Sequence, residues 1–345
     1  MNDKEKKPLH VKIERGPAEW LKAVFWLVLI VGLAFYFFSG PSQDQTWTYL
    51  DQNLKQVEGK APEIGEDTAL VGYLELSGLI LDEPMTGGSV FDPQQDITPA
   101  RVRRALNAYS GHQDLDALVI HLTSPGGSVP ASDAIARLVK VFGQEEVPVY
   151  VYANSLLASG GYYMSAPAAA IYSAPQALVG SIGVIFQTVN VEKLAEEKLG
   201  VRVRIFKQGR YKDMGSPFRE LSQEEEELIQ EKVDQAYQAF LETILDNREL
   251  SMEELQKAAT GEVFTGSQAR ERKLVDDVLH FDQLGQRLKQ ATGKQQLFYV
   301  SRKERAGLLQ LLSGTRASSG QKIVNALGPL ARFTLPSGTY YLMEQ

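Results

Sequence analysis

The strongest candidate for chemistry in this chain is a serine. Leu157-Ala158-Ser159-Gly160-Gly161-Tyr162-Tyr163 follows an apolar stretch and opens a run of small residues. A serine at a strand-to-helix junction has its hydroxyl beside the free N–H groups of the helix start. Glycines after it let a substrate backbone approach closely. An ordinary N-cap serine leaves the same trace, so the segment alone does not decide. Ser124-Pro125-Gly126-Gly127 closes a buried apolar run. Strand ends of this kind form ligand sites in α/β proteins, and a Gly-Gly turn can aim a backbone N–H at a developing oxyanion. A plain strand-to-helix turn is the alternative. A third segment, Gly180-Ser181-Ile182-Gly183-Val184, sets a serine between glycines, which suggests tight backbone packing beside a polar group.

A serine nucleophile needs a base. The four histidines are His10, His112, His121 and His280, and none sits in a motif-like context. His121 lies inside a buried strand and reads as a core residue. A lysine can serve if desolvation keeps it neutral. Arg210-Tyr211-Lys212-Asp213-Met214-Gly215-Ser216-Pro217 is a turn-rich loop ahead of a long helical pattern, and Lys212 is its candidate. Most lysines in such loops are simply solvated.

The elements that must position these residues alternate along the chain. Apolar runs over 69–76, 116–122, 147–153, 170–173, 178–180, 184–187 and 201–207 predict strands. Helical spacing appears over 98–109, 131–142, 159–166 and 191–199. This alternation predicts a layered α/β fold with a largely parallel sheet. From Ser222 onward the pattern becomes mainly helical. Ser222 with Glu225, and Ser251 with Glu254, match capping boxes. The expected organisation is a 68–300 catalytic domain, with an α/β core over 68–221 and a mainly helical section over 222–300. A 301–345 tail follows, whose apolar end around Leu335 to Met343 could add a strand.

Ahead of the domain, residues 20–38 read WLKAVFWLVLIVGLAFYFF. As a helix they would span about 28 Å, close to the hydrocarbon thickness of a bilayer. Lys4, Lys6, Lys7, Lys12, Arg15 and Lys22 come early, and no Lys or Arg follows until Lys55. The positive-inside rule then makes 1–19 cytoplasmic, 20–38 a single-pass anchor, 39–67 a stalk or peripheral segment, and the remainder translocated. A cleaved signal peptide is the alternative, but no small-residue cleavage site follows the apolar run. Across the 345 residues the net charge is −7, which argues against nucleic-acid binding. The absence of cysteine excludes a thiol nucleophile, disulfides and a cysteine-based zinc site. No cofactor or metal is expected.

Taken together, Ser-Pro-Gly-Gly, Ala-Ser-Gly-Gly-Tyr-Tyr, Gly-Ser-Ile-Gly-Val and Lys-Asp-Met-Gly-Ser-Pro-Phe-Arg occur in the order seen in the signal peptide peptidase A family. The chain resembles that family of bacterial membrane-anchored Ser–Lys proteases over residues 69–278. The resemblance implies Ser159 as nucleophile, Lys212 as general base and Ser181 as the serine that hydrogen-bonds the lysine amine. Gly126 and Gly160 match positions near the oxyanion hole. It also implies a caseinolytic protease/crotonase-like fold and ring-shaped homo-oligomers, with active sites that neighbouring subunits can share. The implied substrates are apolar peptides such as cleaved signal peptides. The implied location is the bacterial inner membrane, with the catalytic domain on the periplasmic or extracellular side. Two positions depart from the family pattern: Glu262 stands where Arg is usual, and Lys273 where Gly is usual. Other readings are a crotonase-like enzyme acting on a coenzyme A thioester, and a non-catalytic ring that organises membrane partners.

Overall fold

The computed structural model describes residues 47–57, 61–84, 96–112 and 114–302. The expected anchor over 20–38 and the tail beyond residue 302 lie outside them. Among the described residues no helix is long and apolar enough to cross a membrane.

The described chain is built on one mixed, mostly parallel sheet. Its strands are β1 (Trp47–Leu50), β2 (Thr68–Ser77), β3 (Ala117–Ser124), β4 (Val149–Ala158), β5 (Ala170–Ser173), β6 (Leu178–Gly180), β7 (Val263–Thr265), β8 (Asp277–Val278) and β9 (Gln296–Arg302). The spatial order is β1-β9-β2-β3-β4-β5-β8, and β6 and β7 branch from the far half of β4. Only the β1–β9 and β6–β7 pairs are antiparallel. The helices are α1 (Pro99–Ser110), α2 (Val129–Glu145), α3 (Gly160–Ser165), α4 (Gln223–Leu245), α5 (Met252–Ala258), α6 (Gly266–Glu271) and α7 (Phe281–Thr292).

The central strand shows why the fold forms. Leu118, Ile120 and Leu122 on β3 bury into the main core with α1, α2 and α4. Ala117 and Val119, on the alternate positions, face a second core closed by Leu284 and Leu288 of α7. Both faces are covered, so β3 reads as one continuous apolar run. His121 continues the second face. It takes a 2.6 Å hydrogen bond from or to the Tyr73 hydroxyl and stacks on Phe281. Burial pushes its pKa down, as for a neutral core histidine.

Capping fixes the helix starts. Thr98 caps α1 and Ser128 caps α2, each with a proline in the first turn. The capping boxes expected at Ser222–Glu225 and Ser251–Glu254 are both present, opening α4 and α5.

Several expectations change. Residues 184–187 and 201–207 are not strands, whereas the helix expected over 191–199 is present at 192–199, with a π turn at Leu194–Lys198 inside it. Val201, Val203 and Ile205 alternate with Arg202 and Arg204, a strand pattern, yet all are exposed. A strand needs a neighbour for its N–H and C=O groups, and this segment pairs with no strand among the described residues. Trp47–Leu50, inside the expected stalk, is an edge strand, and Trp47 packs its ring on Tyr109. The section after residue 222 also supplies β7, β8 and β9, so it is less purely helical than its spacing suggests.

Lys273, one of the two departures from the family pattern, has a φ of 58° just after α6. Glycine adopts that left-handed conformation freely, whereas a Cβ costs about 1 kcal/mol. The side chain recovers part of this by pairing with Glu254, whose carboxyl it holds down at about 2. Lys273→Gly is therefore expected to raise Tm by about 2 °C. A lower Tm in a melting experiment would show that the ion pair outweighs the backbone strain.

Candidate active site

Ser159 sits where β4 turns into α3. Its register is set by β6, because Ala158 pairs with Gly180 and the Ser159 N–H donates to the Gly180 carbonyl at 2.8 Å. The turn is sharp. Ser159 has φ 51° and ψ −122°, a backbone conformation that costs a non-glycine residue on the order of 1–3 kcal/mol. Its hydroxyl makes no capping hydrogen bond to the helix it precedes. That removes the ordinary N-cap explanation: the strain displays a hydroxyl instead of satisfying the helix start. A strained serine at a strand-to-helix turn is also how α/β hydrolases present a nucleophile.

The Ser124–Gly127 turn lies directly against this serine. A Cβ built on Gly126 would come within 2.7 Å of both the Gly160 nitrogen and the Ser159 Cβ. Gly126 has φ 99°, so glycine is required on both counts. Its N–H, however, is engaged by the Ser124 Oγ at 3.1 Å, and Ser124 is fully buried. Gly126 thus lies against Ser159, at the position expected near an oxyanion hole, with its own N–H already bonded. Among the described residues, the Gly127 and Gly160 N–H groups have no hydrogen-bond partner. The Gly127 nitrogen lies 3.3 Å from where a Cβ on Gly160 would stand. Gly160 also packs on the buried Ser132, which leaves no room for a side chain.

Ser181 is brought beside Ser159, one residue beyond the Ala158–Gly180 pair of adjacent parallel strands. It too has a positive φ, 49°, and its N–H donates to the Glu262 carbonyl at 2.7 Å. The Gly261 N–H returns a bond to Ile182 at 3.1 Å. Glu262 therefore braces Ser181 through its backbone, closer to the site than its place in the sequence suggests. Ser159 lines a small cleft. Val129, Val184, Ala236 and Phe240 give it an apolar wall, and Ser132 and Tyr163 lie at its edge.

Lys212 is not part of this cluster. It lies on an exposed turn in the 209–215 loop, with its N–H bonded to the Gly209 carbonyl at 3.3 Å. Its amine has no hydrogen bond or ion pair with a described residue. The chain between Val184 and the start of α4 projects apolar side chains into solvent: Ile185 is 88% and Phe206 94% exposed. One chain on its own therefore assembles Ser159, Ser181, Gly127 and Gly160, and leaves the lysine outside.

Comparison with known proteins bears on what this arrangement is. Residues 142–295 match peptidase family S49. Over that stretch the chain is similar to the S49 peptidases. Its resemblance to the signal peptide peptidase A family is shown by its relatives as well. A candidate protease of Methanocaldococcus jannaschii is 36% identical over 192 residues, covering 56% of this chain and 61% of that protein. A candidate signal peptide peptidase SppA of Enterococcus faecium is 32% identical over 216 residues, covering 63% and 62%. The chloroplastic serine protease SPPA of Arabidopsis thaliana is 34% identical over 194 residues, covering 56% of this chain and 28% of that protein. The match spans about six-tenths of the length of the first two relatives.

The S49 match begins inside α2, so it contains Ser159, Ser181 and Lys212 but leaves out Gly126 and Gly127. The free Gly127 N–H was missed by sequence reasoning, although a signal existed. A serine two residues before a glycine captures that glycine's N–H in a side-chain turn, which passes the open donor to the next residue.

Proposed function

We propose that this protein is a membrane-anchored serine endopeptidase that hydrolyses apolar peptides through an acyl-enzyme. Ser159 is the nucleophile, Lys212 the general base and Ser181 the group that aims the amine. One observation carries the reading. The Ser159 hydroxyl is uncapped on a strained turn, flanked by Ser181 and by two N–H groups that have no partner among the described residues. Neutral Lys212 takes the Ser159 proton as Oγ attacks the scissile carbonyl. The Gly127 and Gly160 N–H groups hold the oxyanion, and the resulting ammonium protonates the leaving amine. Water, deprotonated by the same lysine, then releases the acyl group. No residue in this sequence changes oxidation state and no metal is required.

The exposed lysine fits a site completed between subunits of a ring-shaped homo-oligomer. The run of exposed apolar side chains over 185–206 supports such an assembly, since clustered exposed apolar residues mark interaction sites. The apolar wall of Val129, Val184, Ala236 and Phe240 supports an apolar side chain at the cleaved bond. Cleaved signal peptides at the outer face of the bacterial inner membrane match that wall and the anchor expected over 20–38. The layered sheet supports the caseinolytic protease/crotonase-like reading of the fold.

A fluorophosphonate probe tests the nucleophile. Intact protein is expected to gain one adduct per chain, mapped by peptide mass spectrometry to Ser159, with labelling faster as pH rises from 6 to 10. An adduct at another serine, or none in protein that cleaves an apolar reporter peptide, would remove Ser159 from its role.

A further inference from the structure

The loop that carries Lys212 is held by a charge cluster to which the family resemblance gives no function. Asp213, next to the lysine, receives the Arg219 guanidinium through both carboxylate oxygens, at 3.0 Å from Nε and 2.8 Å from Nη2. The same guanidinium reaches Glu225 through Nη1 at 2.8 Å and through Nη2, and donates to the Glu220 carbonyl at 2.8 Å. Lys207 also pairs with Asp213, at the oxygen that Arg219 Nη2 bonds. Arg210 and Tyr211 both bond Glu224.

Glu225 is not an ordinary surface carboxylate. It is 4% exposed and is the third residue of α4, where it also closes the capping box with Ser222. The guanidinium fork therefore ties the residue after Lys212 to the rigid start of a 23-residue helix. The geometry of a planar fork against two carboxylates fixes direction as well as distance, which a lysine in place of Arg219 could not do. Arg219 also holds both partners ionised, Asp213 well below the carboxylate range and Glu225 at about 2.

We infer that Arg219 is a positioning residue for the base: clamped between Asp213 and Glu225, it sets the turn that presents the Lys212 amine. This rests on the assignment of Lys212 proposed above. The Lys212 side chain has no bond of its own to a described residue, so its placement depends on the backbone under it. A displacement of about 1 Å there can cost on the order of 100-fold in rate.

The test uses the full-length protein, an apolar fluorogenic peptide, and fluorophosphonate titration to count active sites. Arg219→Gln is expected to lower kcat per titratable site by about 10- to 100-fold with KM within about twofold. The pH–rate profile should lose its lysine-dependent rise. Arg219→Lys should recover only part of the rate. Glu225→Gln keeps the capping box but removes the charge, so it should move kcat the same way by a smaller factor even if Arg219→Gln does not fold. A purely structural role would lower Tm and the number of titratable sites, with wild-type kcat per site and pH profile. That result in Arg219→Gln, or in Glu225→Gln, overturns the inference. Lys212→Ala separates the two levels. If it is inactive while both clamp variants are normal, only the positioning role falls. If it is fully active, the base assignment falls and takes this inference with it.

Discussion

Ser159→Ala and Lys212→Ala proteins, each inactive alone, are expected to recover about a quarter of wild-type activity when co-expressed in equal amounts. The expectation follows from where the two side chains lie. Ser159, Ser181 and the Gly127 and Gly160 N–H groups are brought together by β4, β6 and the Ser124–Gly127 turn of one chain. Lys212 stands on an exposed loop that follows an apolar arm in sequence. If a ring builds each site from the serine of one subunit and the lysine of its neighbour, each subunit contact mixes the two variants at random. About one contact in four then joins an intact Ser159 to an intact Lys212. Each variant alone should retain under about a thousandth of the wild-type rate, because the dyad acts as a unit. If the lysine of the same chain folds back to its own serine, every site in the mixture lacks one partner and no activity returns. Mass analysis of the mixed oligomers must show both chains in one particle. Mixed particles without activity would place the base in its own subunit, and high activity in Ser159→Ala would dismiss the nucleophile.

The parts of this site that sequence could reveal are those set by local chemistry. The β3 core run, the capping boxes at Ser222 and Ser251, and the serine at the β4–α3 junction all depend on neighbours in the chain. Three features depended on something else. The donor at Gly127 emerged only when Ser124 was seen to occupy the Gly126 N–H. The bracing of Ser181 by Glu262 joins residues 81 apart in sequence through one strand pair, β6 with β7. The Val201-Arg202-Val203-Arg204-Ile205 alternation has the period of a strand but no partner strand among the described residues, so the pattern is legible and its fulfilment is not. That segment and Lys212 belong to the same projecting stretch. The part of the chain whose sequence pattern is unmet by its own fold is also the part that holds the proposed base.

Gly126→Ala should lower kcat/KM by at least about 100-fold, although it removes no side chain and adds one methyl. The methyl would stand 2.7 Å from the Gly160 nitrogen and 2.7 Å from the Ser159 Cβ. Neither neighbour can swing away, since one is backbone at a helix start and the other is fixed by the Gly180 carbonyl and a strained φ. The φ of 99° at Gly126 adds backbone strain on top of the collision. Relief requires the Ser124–Gly127 turn to move away from β4, which carries the Gly127 N–H away from the position an oxyanion occupies. Loss of one such donor costs about 100- to 1,000-fold in kcat. Fluorophosphonate labelling should slow in parallel, because it passes through the same oxyanion geometry. Gly143→Ala is the control: its methyl would meet Val149 at 3.7 Å, an ordinary contact on a regular helix. That variant should gain about 0.5–1 kcal/mol of stability and keep its activity. Near-normal turnover in Gly126→Ala, with a crystal structure showing the turn undisplaced, would mean that the catalytic donor lies elsewhere than at Gly127.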